Sequence, residues 1–344
     1  MGWSMQVRRS MPRALLIFCL GALALTLGAS EARATHVSCG DVITADTTLD
    51  SDLVNCPGDG LFIGADNVTL DLDGHTIDGT LAPGGYGVYV EEHQGVRIQN
   101  GAMQDFVASV FLVESSRNVV TGLTAPGGIM LENASENLIA HNTVPAAGAG
   151  VKLYANSDRN RIEFNVLSGS GNGVFLITTD PAAGQPGGNT IVSNLAFHND
   201  YGVVILSGEP NRVERNSLVD SEYGMYVSTP SVLDRNRISD TEIGIWVIGS
   251  STGLSVTRNR IHHSEEDGIL IEPTVRDIVV AQNVVTESED DGIDANSPRV
   301  TLTANIANDN GDLGIEAVPG VTDGGGNRAS GNGNPLQCTN VVCR

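Results

Sequence analysis

The stretch 211–247, "NRVERNSLVDSEYGMYVSTPSVLDRNRISDTEIGIWV", states one pattern twice. Arg215-Asn216 returns as Arg235-Asn236, Asp220-x-Glu222 as Asp240-x-Glu242, and Gly224-Met-Tyr-Val as Gly244-Ile-Trp-Val, each 20 residues on. Inside each copy the apolar residues alternate with period two, the strand period, and no helical stripe intervenes. Outward from this pair, a glycine followed by alternating apolar residues recurs at Gly87, Gly128, Gly150, Gly173, Gly202, Gly268, Gly292 and Gly314, with Ser109 filling one gap. The steps are 19 to 24 residues, with one of 29 where "TTDPAAGQPGG" (178–188) adds a loop expected to protrude. A second anchor, asparagine, follows short β-branched runs at Asn142, Asn165, Asn194, Asn216, Asn236, Asn259, Asn283 and Asn305. Self-similarity at this period marks a solenoid.

Stacked turns place equivalent residues ~4.7–4.9 Å apart on adjacent strands. Stacked asparagine amides can then bond one another up the column. Glycine and asparagine are expected to supply the left-handed corners. Valine and isoleucine at the first and third strand positions should fill the interior, and parallel crossovers should wind right-handed. The pattern resembles the right-handed parallel β-helix superfamily: pectate-lyase-like proteins, carbohydrate-binding β-helix domains and periplasmic β-helix proteins that help mature copper enzymes. "NVTLDLDGHTIDG" (67–79) resembles the first coil common to that group. The resemblance covers roughly 67–317 and implies an all-β, single-stranded right-handed parallel β-helix of about eleven coils, with caps expected at 35–66 and 318–344.

Arg8, Arg9 and Arg13 precede an apolar run at 14–28, and Ala32-Arg33-Ala34 supplies a small-residue cleavage pattern, so 1–34 is expected to be a signal peptide. The run is too short for a comfortable transmembrane span. Removing those four arginines and Glu31 takes the 19 basic and 41 acidic residues to 15 and 40, a net charge of −25. Such a chain repels nucleic acid, anionic lipid and any uronate polymer not bridged by cations. Lys152 is the only lysine. Cys39, Cys56, Cys338 and Cys343 remain, an even count that suits disulfides in an exported chain. Eleven coils span on the order of 50 Å, and a disulfide bridges Cα atoms within ~7 Å. Of three possible pairings, Cys39–Cys56 with Cys338–Cys343 is the one such a coil allows, one staple at each end.

Counted from the strand glycines, the acids fall into columns. Asp200, Glu222, Glu242, Glu266, Asp290 and Asp312 stand two residues before them. His198, Asp220, Asp240, His263, Glu287 and Asp309 stand four after the asparagines. Like charges at stacking distance repel by ~1 kcal/mol in water and by several at a surface dielectric near 20. Three explanations compete: a solvated edge, calcium held between carboxylates, or carboxyls with raised pKa. Arg215, Arg235 and Arg258 could neutralise the columns if they share their face. Calcium is the only cofactor these acids suggest.

Two residues after the glycines stand Tyr89, Phe111, Met130, Lys152, Phe175, Val204, Tyr226, Trp246, Leu270, Asp294 and Glu316. Rings on an exposed sheet face suit sugar stacking, and a cross-strand ladder is the structural alternative. Tyr89, Phe111, Lys152, Phe175, Tyr226 and Trp246 are therefore the candidate glycan contacts.

"SEDDGIDANS" (288–297) resembles the paired-aspartate strand of polygalacturonase-type hydrolases, and "EEDGI" (265–269) their single-aspartate strand. The resemblance implies Asp267, Asp290 and Asp291 as the acid and base of an inverting hydrolysis. Those enzymes also carry Gly-His-Gly and Arg-x-Lys elements, yet no histidine or lysine follows Gly292 here. Lyase and epimerase readings lack their own motifs. His198, His262 and His263 invite copper, but only the adjacent pair has a usable spacing. The leading expectation is a monomeric, secreted or envelope β-helix that binds polysaccharide, with calcium assisting. A hydrolase or lyase and a purely structural surface solenoid are the alternatives.

Overall fold

The computed structural model describes residues 34–344 except 82, 179–181, 183, 209, 250 and 251, so the expected signal segment lies almost wholly outside the described residues. The described chain belongs to one unit, Ala32–Arg344. It is all β, and its strands pair in parallel from coil to coil. No described helix is long and apolar enough to cross a membrane.

One coil shows the plan. The second half of Ser217–Val227 forms the first row of strands, Ser231–Asp234 the second and the start of Arg237–Val247 the third, before the chain re-enters the first row one coil higher. Core residues come from the first and third positions after each strand glycine. Met225 and Val227, Ile245 and Val247, and Ile269 and Ile271 are all fully buried. Burying each such side chain stabilises by roughly 1.5–3 kcal/mol.

The first row holds about thirteen turns rather than the expected eleven. The two extra strands, Asp41–Ile43 and Leu61–Ile63, lie in the stretch expected as an N-terminal cap; they pair in register with each other, and the second pairs in turn with Tyr86–Glu91. At the other end Thr322–Gly325 and Arg328–Ser330 also continue the rows. The disulfides pair as expected, Cys39 with Cys56 and Cys338 with Cys343, at Cα separations of 5.4 and 6.2 Å. Part of the expected loop at 178–188 lies outside the described residues, but its end packs back onto the coil. Gly187 N–H donates to Asp158 Oδ1 at 2.8 Å, and Gly208 N–H donates to Gln185 Oε1 at 3.0 Å.

The asparagine column forms as expected and continues one coil further, to Asn327. Asn216 illustrates it: its backbone N–H and its Nδ2 donate to Asn236 Oδ1 at 2.9 and 3.0 Å, and Nδ2 also donates to the Ile191 carbonyl at 2.9 Å. A second ladder, Asn118, Asn137, Asn160, Asn189 and Asn211, has the same geometry. The anchors do not act through left-handed backbone, however. The left-handed residue is the one before each asparagine: His141, Phe164, Ser193, Arg215, Arg235, Arg258, Gln282 and Ala304 have φ of 53–60°. That conformation costs non-glycine residues roughly 1–2 kcal/mol, and the buried amides hold it in place. Of the strand glycines, only Gly128 is left-handed. The others are needed for close approach, since a Cβ on Gly224 would lie 2.3 Å from the Gly244 carbonyl oxygen.

Candidate functional site

The two acidic columns stand as the spacing implies. In the first, backbone bonds run from member to member: Glu266 N–H to the Glu242 carbonyl (2.8 Å), Asp290 to Glu266 (3.3 Å) and Asp312 to Asp290 (3.0 Å). In the second, the six residues occupy a left-handed corner with φ of 51–60°. Histidines engage this second column. His198 Nε2 lies 2.8 Å from Asp220 Oδ2, His263 Nδ1 lies 2.9 Å from Asp240 Oδ1, and His262 Nδ1 lies 3.9 Å from Glu287 Oε1. Arg215, Arg235 and Arg258 do not neutralise either column. They sit at the asparagine corner and pair with Glu214 and Asp234.

The outward row two residues after the glycines is also in register, from Phe62 through Tyr89, Phe111, Met130, Lys152, Phe175, Val204, Tyr226, Trp246, Leu270 and Asp294 to Glu316. Its expected exposure is only partly realised, because Phe111 (9%) and Val204 (3%) are covered by their neighbours. Further rings, which sequence reasoning missed, stand one residue before the glycines: Tyr86, which packs on Phe111, and Tyr201 and Tyr223. Two ring clusters result. One joins Phe62, Tyr86, Tyr89 and Phe111. The other stacks Tyr201 on Tyr223 at 4.9 Å and sets Trp246 against Tyr226 at 5.0 Å and Tyr223 at 5.4 Å. Lys152 lies between the clusters, its Nζ 4.3 Å from the Tyr154 ring and 5.4 Å from Phe175.

The same two positions carry acids in the next coils. Asp267 and Asp291 stand where Tyr201 and Tyr223 stand below them, and Asp294 and Glu316 continue the Tyr226–Trp246 line. Asp267 and Asp291 are 8% and 3% exposed. Each caps the next coil: Asp291 N–H donates to Asp267 Oδ1 at 3.1 Å, and Leu313 N–H donates to Asp291 Oδ1 at 2.7 Å. Burial, and then the charge of Asp294, push the Asp267 carboxyl up to about 7. Burial followed by a hydrogen bond with Glu316 pushes Asp291 higher still. Asp294 rises to about 6, chiefly through burial, against a lowering bond from Asn296. Glu272 ties the rings to the acids by accepting from Trp246 Nε1 at 3.1 Å.

The expected catalytic trio is thus rearranged. Asp267 and Asp291 lie at the centre, Asp290 is exposed to one side, and Asp294 and Glu316 complete the cluster. Asp294 and Glu316 were legible as members of the outward row, but the hydrolase resemblance gave neither a role. Asp291, Asp294 and Glu316 can bring three carboxylate oxygens within 4.8 Å of one another, as can Asp290, Asp291 and Asp312. Of the expected metal residues, only Asp290 and Asp312 enter such a group among the described residues. Asp200, Asp220, Glu222, Asp240, Glu242, Glu266, Glu287 and Asp309 do not.

Against known proteins, the family described as right handed beta helix region matches residues 220–340. The chain has the right-handed parallel β-helix fold. A second family, described as periplasmic copper-binding protein (NosD), matches residues 66–232. Similar solved β-helices include the catalytic domain of a GH87 α-1,3-glucanase in complex with tetrasaccharides, at 14% identity and TM-score 0.58 over 89% of this chain. The match spans 63% of that glucanase chain, less than two thirds of its length. A hyperthermoactive exopolygalacturonase from Thermotoga maritima matches at 10% identity and TM-score 0.50, over 73% of this chain and 79% of that one. No curated protein sequence matches. Copper does not fit the donors present: among the described residues, every group of three or more close ligand atoms consists of carboxylate oxygens. Such sets suit hard cations, whereas copper prefers imidazole and sulfur.

Proposed function

We propose that this β-helix is an exported, monomeric protein that binds a neutral polysaccharide along its first strand row. Tyr223, Tyr226 and Trp246 form the apolar platform, and Asp267, Asp291, Asp294 and Glu316 form the polar end. The observation that carries this reading is the juxtaposition of the two groups. Half-buried rings offer flat faces to a sugar ring, and the adjoining carboxyls accept from hydroxyls when ionised and donate when protonated. A net charge of −25 after removal of the signal argues for an uncharged chain on this acidic face. The glucanase and the exopolygalacturonase supply a fold precedent only. The test is retention on immobilised neutral glucans. Wild type should be retained and Trp246→Ala should elute at the void, while passage of wild type through every column would refute the reading.

The raised carboxyls favour hydrolysis as a second reading. Near neutral pH one member of the cluster would be protonated and a neighbour ionised, the division of labour that glycoside hydrolysis requires. Reducing ends released from a polymer panel by wild type, and not by Asp291→Asn, would establish it. Silence across the panel would leave binding alone.

Calcium is the cation this cluster would take. At pH 8 calcium should raise the melting temperature, chelator should reverse the rise and Asp290→Asn should diminish it. An unchanged melting temperature in wild type would exclude calcium.

A further inference from the structure

A groove of about 520 Å³ runs along the asparagine corner, lined by Arg215, Arg235, Arg237, Arg258 and Arg260. In a chain this acidic, a third of the fifteen basic residues outside the signal segment meet in one place. The groove lies at the corner between the second and third rows, whereas the acids and rings lie beyond the third row. The counter-charge at its base is small. Asp234, 1% exposed, receives Arg235 Nη1 at 2.8 Å and Arg258 Nε at 2.7 Å, and Thr257 Oγ1 donates to it at 2.8 Å. Glu214 lies 3.7 Å from Arg215. Burial raises the Asp234 carboxyl, but the bonds from Arg258 and Thr257 outweigh it and hold the group below its usual range. Asp234 is thus a fixed anion that orients two guanidiniums.

Arg237 and Arg260 face each other in register on adjacent strands, and among the described residues neither has a carboxylate within ion-pair distance. Like charges brought side by side in this way repel each other. The fold does not demand them. Other coils place Thr143, Val166, Leu195, Val284 and Ile306 at this position. Nor does the left-handed corner demand arginine, because Phe164, Ser193, Gln282 and Ala304 adopt it elsewhere. Arginine is the side chain that grips carboxylate and sulfate through two parallel N–H donors.

We infer that this groove binds a linear acidic polysaccharide, one oxyanion to a coil, by bidentate contacts from Arg237 and Arg260 with Arg215, Arg235 and Arg258 flanking. Only the occupant's class rests on the glycan reading above; the anion site rests on the arginines. Overall negative charge does not forbid it, since at physiological salt fields are screened beyond ~8 Å. Uronate carboxylates and sulfate esters present the same chemistry, and the experiment separates them.

Titration calorimetry of the mature protein in 0.15 M salt, with EDTA present, uses polygalacturonate, dextran sulfate, unmodified dextran and inorganic sulfate. Wild type should bind one or both acidic polymers, and R237Q/R260Q should bind them at least tenfold more weakly, while Trp246→Ala binds them as wild type does. Whichever polymer binds names the oxyanion. Equal binding by R237Q/R260Q, no binding of either polymer by wild type, or inorganic sulfate binding as tightly as a polymer would overturn the inference. Loss of dextran binding in Trp246→Ala alone bears on the first-row reading and leaves this one standing. Thermal melts of each variant in parallel confirm that the loss is not misfolding.

Discussion

Asn236→Ala is expected to lower the stability of the solenoid by roughly 2–6 kcal/mol, read as a fall in the urea midpoint and as early hydrogen exchange in the coils around it. The substitution orphans two buried donors. Asn236 Oδ1 accepts both the backbone N–H and the Nδ2 of Asn216, which is 1% exposed. Each buried donor left without a partner costs ~1–3 kcal/mol. Asn236 Nδ2 also donates to the Val213 carbonyl at 2.8 Å and to Asn259 Oδ1 at 3.0 Å. Alanine therefore breaks the column in both directions, and the left-handed residue beside it, Arg235, loses the amide that holds its corner. In a solenoid each coil rests on its neighbours, so exchange should rise first at 213–260 and not at the disulfide-tied ends. A loss below ~1 kcal/mol, or exchange that rises evenly along the chain, would mean that water replaces the amide and that the ladder does not hold the corner.

The same ladder explains what the sequence discloses. A repeat fixed by strand glycines carries its own register, so any position counted from those glycines becomes a column. Tyr226 and Trp246, or Glu242 and Glu266, could therefore be placed side by side without coordinates. Tyr223 stood one residue before its glycine, in the column that becomes Asp267 and Asp291 two coils on. Its signal is as strong as that of Tyr226, but the position falls between the acidic column and the outward row and belongs to neither. The early coils were legible too. Gly60-Leu-Phe-Ile has the strand signature, and a Cβ on Gly60 would lie 2.3 Å from the Gly87 carbonyl oxygen, as in later coils. What spacing could not disclose is burial. Asp267 stands one residue before its glycine and Asp290 two before, yet nothing in that spacing says which column is enclosed: Asp267 is, and Asp290 faces solvent. That difference depends on how neighbouring side chains close over a row, and it decides which acids change their proton affinity.

The second large effect is an inverted response to alkali: stability should fall as pH rises from about 4 to 8. Asp267 binds its proton far more tightly when folded, up to about 7 against 3.8 for an ordinary aspartate, and Asp294 is raised to about 6. With Asp291 raised as well, the folded state holds more protons than the unfolded state throughout this window, so ∂ΔG/∂pH is negative. The stabilisation is complete below pH 4 and is lost as each carboxyl ionises on the way up. A tenfold change in proton affinity is worth ~1.4 kcal/mol, so Asp267 alone supplies a loss of a few kcal/mol. Below about pH 4 the sign reverses. Asp52 and Asp66 are held low, first by the Thr76 and Gln94 backbone N–H groups, and Asp323 by that of Val342, so their contribution disappears on protonation. Maximum stability should therefore sit near pH 4–5. Urea unfolding at pH 5 and pH 8, with EDTA present because a bound cation would flatten the slope, should give the lower midpoint at pH 8. Asp267→Asn keeps an oxygen to accept the Asp291 N–H but cannot ionise, so it should flatten the slope and stabilise the protein at pH 8. Equal midpoints for wild type at the two pH values would show that the cluster is hydrated and ordinary, and the hydrolytic reading would lose its physical basis.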